Sequence, residues 1–583
     1  MEKVKYTTTN VDFCDKFHYN SFSFHIAMRS RNKVTNEVRM KSKKLWYRMI
    51  AILLCICLMI SWFTPSVLAA EMTDIRVGLV NFYKGKPTLS IKTTKIGLGY
   101  SVNDSYSYEA VFASNSGFTF TPATGYYYVL AKKFTSYESA LKMAKRIQSI
   151  GVDAKPVSIY RNYWKVYVGG EKDLDKMSAI KKKLKSSFED TYYGPYQDNG
   201  HRVQMSGDGV SILLDANGAN AYPQFKAITV NKEKVAVIDL GARSYRGRIE
   251  IGRYGKSTLT AVNIVNIESY LYGVVPSEMT SSWPSEALKA QAVCARSYAI
   301  SKTSYGTDSN IITAYQLSDT TSSQVYKGYK VETTATNAAV NATKNLVVLY
   351  ENKVIPAYYY STSGGKTADV RNVWGIKQPF LKSVVDEYET EPEKTPWVIA
   401  MTKAELLGKL KESGHTIGSV RTIIPQIMTS SGRVYTLQVM SDNNSVILKS
   451  EKIRTVLDLY STKFKVVSYQ DNSDAVVALG AEGKADIELN SSYVIDGSNK
   501  VTALNDTKNR IYIVKSADNL TPFIKDSPNK ESVFYFVGLG YGHGVGMSQS
   551  GAKGMAKKGY SFREIIQYYF QGSTVSKFKI VLS

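Results

Sequence analysis

One acidic side chain sits where proton-transfer chemistry would want it. Glu278 lies in the run Val274-Val275-Pro276-Ser277-Glu278-Met279, with Trp283 close behind. Apolar neighbours disfavour the charged form of a carboxyl and raise its pKa. A carboxyl so placed keeps its proton near neutral pH and can act as a general acid. On pattern alone the same position also suits a helix start or a salt bridge. The second candidate is the run Gly538-Leu539-Gly540-Tyr541-Gly542-His543-Gly544-Val545-Gly546. Alternate glycines let backbone approach a ligand or another segment closely. No Gly-Lys-Ser/Thr follows, so this is not a phosphate loop. A tight turn inside a barrel is the other reading. Cys294 lies in an Ala-rich stretch with no local His, and reads as a packing residue rather than a nucleophile.

These groups need elements to hold them. Ser257 to Met279 reads as strand, turn and helix. Pro284 suits the first turn of a second helix, and Ala287, Leu288, Gln291, Ala292, Ala295 and Tyr298 form one face of it. A helix starts around Ser548 and Gln549. Ser561-Phe562-Arg563-Glu564 is a capping box opening a last helix that Gly572 ends. Elsewhere short strands and turns dominate: Ile75 to Val80 alternates, and strands are expected at Val210–Leu214, Ile228–Val230, Val235–Leu240 and Tyr245–Ile251. Between about 121 and 198 the character changes. Tyr127–Ala131 reads as a strand and Ser136–Ile150 as a helix with Ala140, Leu141, Ala144 and Ile147 on one stripe. Trp164, Val166 and Val168 alternate with Tyr163, Lys165 and Tyr167 in a second strand. Leu174, Met177, Ile180 and Leu184 mark a second helix. The strand–helix unit thus occurs twice.

Composition bounds what these elements can do. The 583 residues are 44% hydrophobic and 21% charged, enough for more than one core and against wholesale disorder. Three of the four Cys precede residue 70, which excludes a disulfide scaffold or a multi-Cys metal site in the body. The five His have no metal-ligand spacing. A basic run, Lys41 to Arg48, precedes the uncharged segment Met49 to Phe63, and Val67-Leu68-Ala69-Ala70 fits a signal-peptidase site. An uncleaved membrane anchor is the alternative, although the segment is shorter than a full span wants. Initiation at Met40 would give a compact signal peptide. The first 70 residues carry 11 Lys and Arg against 4 Asp and Glu, so the body keeps +17 of the chain's +24. A basic exported body suggests a polyanionic envelope partner. Export and the lack of any nucleic-acid motif argue against a nucleic-acid partner.

The 121–198 segment resembles the sporulation-related repeat (SPOR) domain, through "YYYVLAKKFTSYESALKMAKRIQSIGVDA" and "NYWKVYVGGEKDLDKMSAIKKKL". That resemblance implies a small α/β sandwich that binds wall glycan stripped of its peptides. A sugar ring stacks on an exposed aromatic face, a role open to Tyr163 and Tyr167; both could equally just shield the sheet. The rest resembles the stage II sporulation protein D and amidase-enhancer family, through "VVPSEM", "WPSEALKAQAV-ARSYA", "YYYSTSGGKTADVRNVWG", "PFLKSVVD" and "GYGHGVGMSQSGAKGMAKKGYSF". The expected fold is α+β: a mixed, β-rich catalytic domain with a few packed helices, plus a βαββαβ-like insert. The expected division is 1–70 N-terminal extension and signal peptide or anchor, 71–120 first part of the sporulation protein D-like region, 121–198 insert, and 199–583 catalytic domain.

The resemblance implies a peptidoglycan lytic transglycosylase acting on peptide-free glycan strands, with the catalytic Glu at Glu278. His543, Ser548 and Gln549 would line the cleft opposite it. Ser361, Ser363 and the Gly364-Gly365 turn would offer polar contacts to sugar hydroxyls, or else bond internally. Glu268, Glu286 and Asp386 are candidate second carboxyls for a hydrolytic route, Glu268 being more plausibly structural. Some sporulation members carry a Cys-rich metal site before a Gln-Val-Tyr element. Here Leu317-Ser318-Asp319 and Ser322-Ser323-Gln324-Val325-Tyr326 contain no Cys, so neither zinc nor another cofactor is expected. The same family includes non-catalytic enhancers of a cell-wall amidase, which stands as the alternative. Either reading places the protein outside a bacterial membrane, secreted or wall-bound, touching lipid only through an uncleaved N-terminal segment.

Overall fold

The computed structural model describes residues 74–578, apart from 103–104, 160–162, 217–221, 230–234, 255, 305–314, 390–396, 469–475, 481–482, 488–492, 496–500, 504–511, 517–518 and 523–532. The expected signal segment and Cys14, Cys55 and Cys57 lie outside the described residues. Among the described residues, no helix is long and apolar enough to cross a membrane.

The fold is mixed α+β and strand-rich. One sheet runs Leu317–Ser318, Ile75–Gly78, Leu259–Val265, Arg248–Gly252, Gln224–Ala227, Lys95–Val102 and Ser105–Ala113 in spatial order. Its central strand, Leu259–Val265, is buried on nearly every residue, as a strand covered on both faces must be. It feeds straight into helix Ile267–Glu278, capped by the Asn266 side chain accepting from Glu268 N.

The insert follows a βαββαβ order: Tyr126–Leu130, helix Tyr137–Gln148, Ala154–Ile159, Tyr163–Glu171, helix Leu174–Ser187 and Tyr192–Tyr196. Ser136 caps the first helix, and its Ala140, Ala144 and Ile147 are buried, the stripe that the periodicity predicts. Trp164, Val166 and Val168 bury on the helix side of the sheet. The sheet does not stop at the insert. Val210–Asp215 adds parallel to Ala154–Ile159, pairing Leu213 with Val157 and Asp215 with Ile159. Val203–Gly207, Phe118–Pro122 and Leu89–Ile91 extend it further.

Helix Ile267–Glu278 packs on helix Ser285–Ser304, which in turn meets Thr334–Ala342, Gln549–Lys557 and Phe562–Tyr569. Ala287, Ala290, Ala292, Ala295 and Ala299 are all buried on Ser285–Ser304, so neighbouring backbones come close. Cys294 is buried there too, its thiol directed at Met547 Sδ at 3.8 Å, and burial pushes it far from the thiolate form. The two helices are locked by a buried ion pair: Arg296 Nε and Nη2 donate to Glu268 at 2.9 and 2.6 Å. The last helix carries the expected capping box, Ser561 with Glu564.

A further apolar cluster stands apart from the main one. It gathers Trp397, Leu406, Leu410, Leu437, Ile453, Leu457, Phe464 and Phe536 from strands Trp397–Thr402, Val434–Met440, Phe464–Ser468 and Val533–Gly538 and helices Lys403–Glu412 and Glu451–Leu457. Reading 199–583 as one domain did not anticipate it.

Candidate active site

Glu278 ends its helix, and Pro276 inside the last turn withholds one backbone donor there. The residue is half-buried by accessible surface, yet protein closes around its carboxyl. Oε1 accepts from Val325 N at 2.9 Å and from Tyr359 Oη at 3.4 Å; Oε2 accepts from Gln549 Nε2 at 3.4 Å. Burial raises its pKa, and those donors with the charge of Lys327 offset only part of the rise. Behind the carboxyl stands a relay of neutral groups. Gln324 Nε2 donates to Tyr359 Oη at 2.9 Å, and Tyr270 Oη donates to Gln324 Oε1 at 3.2 Å. Gln549 also reaches Gln291 Oε1 at 3.4 Å. The result is a carboxyl biased toward its protonated form, fixed in direction by three donors.

Tyr359 and Gln549 arrive together because their strands pair. Tyr359–Tyr360 runs parallel to Met547–Ser548, and Ser548 then caps helix Gln549–Lys557 by accepting from Gly551 N. The glycine run leads into this pair. At Gly544, φ is +83°, and a Cβ would lie 2.6 Å from the Arg433 guanidinium carbon. Arg433, fully buried, donates from Nη2 to Ser363 O at 3.0 Å. Trp397 of the separate cluster and Ser461 beside it hold the run elsewhere as well. Trp397 Nε1 donates to Gly540 O at 2.9 Å and Ser461 Oγ to Leu539 O at 2.6 Å, while Lys463 Nζ reaches Gly364 O in the neighbouring turn.

His543 sits among rings, with centroids of Trp374, Tyr360 and Tyr358 at 5.1, 5.4 and 6.3 Å. Its Nδ1 accepts from Val545 N at 3.0 Å. Burial first, then Arg454 and Arg433, pull its pKa down to about 3, so the ring is neutral.

The structure thus brings Gln549 to Glu278 and distributes the other expected residues differently. His543 packs among aromatic rings in the glycine segment between strands Val533–Gly538 and Met547–Ser548. Ser548 and Ser363 are buried and bond inward: Ser548 Oγ donates to Glu389 Oε1 at 2.6 Å, and Ser363 Oγ accepts from Gly365 N at 3.0 Å. Sugar contact is revised to a framing role for Ser548 and Ser363, which are fully buried, while His543 stays partly exposed. Ser361 is half-buried, and its carbonyl accepts from Ser550 N at 3.0 Å. Tyr167 is corrected on similar grounds. It lies 8% exposed at the seam where the insert sheet continues, donating to Asp215 Oδ2 at 3.1 Å beneath Arg202. Tyr163 stays half-buried with Lys133 Nζ 4.8 Å from its ring centre.

The candidate second carboxyls all have partners, although Asp386 keeps its buried Oδ2 without a donor among the described residues. Glu268 pairs with Arg296; Glu286 binds Lys289 Nζ at 2.7 Å and accepts from Phe562 N at 2.8 Å; Asp386 accepts from Tyr569 Oη at 2.9 Å. The loop before Gln324 offers hydroxyls bonded to one another, Ser318 with Thr320, Ser322 and Ser323. Asp319 is taken by Asn81 N and Arg243. This donor set lacks the thiolates and imidazoles that a structural zinc takes, so it does not fit one.

Sequence reading missed Tyr359, Gln324 and Glu389. Glu389 accepts from Ser363 N, from Gly364 N at 2.9 Å and from Ser548, so it nails the turn to strand Met547–Ser548. Its neighbour Asp386 is pushed up to about 7, by burial first and the Glu389 charge second, against bonds from Tyr569, Ser363 and Ser548. Between the ordinary Asp value and about 7, the folded chain binds a proton that the unfolded chain releases. Stability therefore falls as pH rises across that window. Asp386→Asn mimics the protonated group and is expected to flatten the dependence, gaining roughly a few degrees over the parent above pH 7. Thermal unfolding across that window checks it.

Fold and site together define a strand-rich α+β protein with one buried acid, Glu278, at the end of a helix. Residues 255–350 match the family described as stage II sporulation protein, and 123–196 match the SPOR domain. The chain thus carries a region similar to the stage II sporulation protein family and a region similar to the SPOR domain. Residues 378–483 match a domain of unknown function, which overlaps the separate cluster. The amidase enhancer of Bacillus subtilis (strain 168) is 30% identical over 314 residues, 53% of this chain but only 40% of its own length. Stage II sporulation protein D of the same organism is 26% identical over 368 residues, 60% of this chain and 87% of that one. An uncharacterized Brachyspira hyodysenteriae protein is 29% identical over 315 residues, 54% of this chain and 68% of that protein.

Proposed function

We propose that this protein cleaves peptide-free glycan strands of peptidoglycan as a lytic transglycosylase, outside the bacterial membrane. The reading rests on one observation: the Glu278 carboxyl is raised by burial and aimed by Val325, Tyr359 and Gln549. A glycosidic bond breaks through an oxocarbenium-like state, and its leaving oxygen needs a proton. Glu278 donates it. The 6-hydroxyl of the same muramic acid then attacks C1, its proton returns to Glu278, and a 1,6-anhydro ring closes. No water is consumed and one carboxyl serves as acid and then base. The engagement of Glu268 with Arg296 and of Glu286 with Lys289 and Phe562 N favours this route over paired-carboxylate hydrolysis by either. In this reading 121–198 holds wall glycan, and the remainder of the exported body carries the reaction.

The relative named amidase enhancer supports a second reading, a wall-binding protein that stimulates an N-acetylmuramoyl-L-alanine amidase. One experiment separates the two. Purified protein is incubated with peptide-free glycan and no amidase, and the products are weighed by mass spectrometry. Anhydro-ended fragments carry the first reading; co-sedimentation without fragments carries the second.

A further inference from the structure

A recess of about 570 Å³ opens beside the Glu278 helix, within the size range of ligand sites. Its polar groups are held in fixed orientations. Glu332 accepts from Arg246 Nε at 2.6 Å and Nη2 at 2.7 Å, and from Asn337 Nδ2 at 3.1 Å. The Arg246 guanidinium stands 5.2 Å from the ring centres of both Tyr272 and Tyr329. Asn341 Oδ1 accepts from Tyr272 Oη at 2.6 Å, which fixes that amide with its NH₂ as donor. Asn337 is likewise fixed by Glu332, and its buried Oδ1 finds no donor among the described residues.

Arg246 and Glu332 neutralise each other. Lys330, exposed on the rim, has no ion-pair partner among the described residues. A polyphosphate would want more cation than this, and an apolar ligand less polarity. Aligned amides, a carboxylate and the Tyr329 ring suit a sugar bearing hydroxyl and N-acetyl groups. The place suits it too. Tyr272 precedes Glu278 by about 9 Å along the helix axis. The Tyr329–Val331 turn follows shortly after Val325, whose N–H holds Glu278.

We propose that this recess is a glycan subsite in which Lys330 binds the lactyl carboxylate of muramic acid. This rests on the glycan reading and deepens it. A stem peptide is attached through that carboxyl as an amide, so the carboxylate is free only on peptide-free strands. Lys330 thereby becomes a determinant of the preference for stripped glycan.

The test uses full-length protein carrying Glu278→Gln, so that binding is measured without turnover. The probes are peptide-free glycan strands and the same strands with their carboxylates converted to amides. The parent is expected to favour the carboxylate strands. Adding Lys330→Glu should weaken carboxylate-strand binding about tenfold and leave amidated-strand binding unchanged, while Lys330→Arg restores the preference. Tyr329→Ala should weaken both. Equal affinity of the parent and the Lys330→Glu variant for carboxylate strands overturns the subsite while leaving the glycan reading intact. A parent that binds neither polymer overturns both.

Discussion

Glu278→Gln leaves the protein folded and bound to glycan but cuts the release of anhydro-ended fragments by about 10²–10⁴-fold. The substitution keeps the shape and, with the amide oxygen in place of Oε1, the contacts to Val325 and Tyr359, while its NH₂ cannot accept from Gln549 and the transferable proton is gone. The pH profile carries a sharper expectation. Cleavage starts from the protonated carboxyl, so kcat/KM falls as pH rises through its pKa. Burial moves that alkaline limb above the range of an ordinary glutamate. Tyr359 donates to the carboxyl and so favours its charged form. Tyr359→Phe withdraws that bond, lifts the pKa further and shifts the limb to higher pH. Replacing Lys327, whose charge also favours the carboxylate, shifts it the same way. A limb that moves to lower pH in either variant would remove Glu278 from the role of acid. Fragment release by Glu278→Gln equal to that of the parent would remove it from the reaction altogether.

The raised pKa at Glu278 was legible in the sequence as a local apolar setting, while its role as acid came from the resemblance. Val274, Val275 and Met279 are apolar neighbours in the chain and are buried in the fold, and burial raises the Glu278 carboxyl. The same holds for the helix stripe of the insert, for the Ser561–Glu564 box and for the helix starting at Ser548 and Gln549. The partners of Glu278 were not legible in the same way. Tyr359 and Gln324 reach it through pairings between segments far apart in sequence, and no periodicity marks a residue that faces another strand's carboxyl. Glu389 shows the same limit, since it works through backbone N–H groups at Ser363 and Gly364 that any residue type could supply. Tyr167 was misjudged for a related reason. Alternation placed it correctly on the face away from the helices, but it could not show that Val210–Asp215 continues the sheet and that Asp215 takes its hydroxyl. The separate cluster went unread because its strands come from both sides of a long intervening stretch. Phe464 and Phe536 meet only through the pairing of Phe464–Ser468 with Val533–Gly538.

The largest loss of stability is expected at the ion pair that sets the Glu278 helix. Arg296 is fully buried and Glu268 nearly so. Two short bonds join them, and each has backbone partners too: Arg296 Nη1 donates to Leu346 O at 3.1 Å, and Glu268 Oε1 accepts from Asn345 N at 3.2 Å. The pair therefore ties helix Ile267–Glu278 to helix Ser285–Ser304 and to the strand beginning at Leu346. Removing one partner leaves the other charge buried without its counterion, at a cost of about 3–5 kcal/mol. Arg296→Met and Glu268→Leu should each lose that much in urea unfolding. The double variant should recover most of it, because desolvating two ions offsets much of what their attraction returns. The double variant also separates stability from catalysis. If the pair serves Glu278 only by fixing its helix, fragment release should recover along with the fold. If release stays low in a double variant of normal stability, then the carboxyl of Glu268 shapes the field or geometry at Glu278 directly, and the single-acid account needs a second charge.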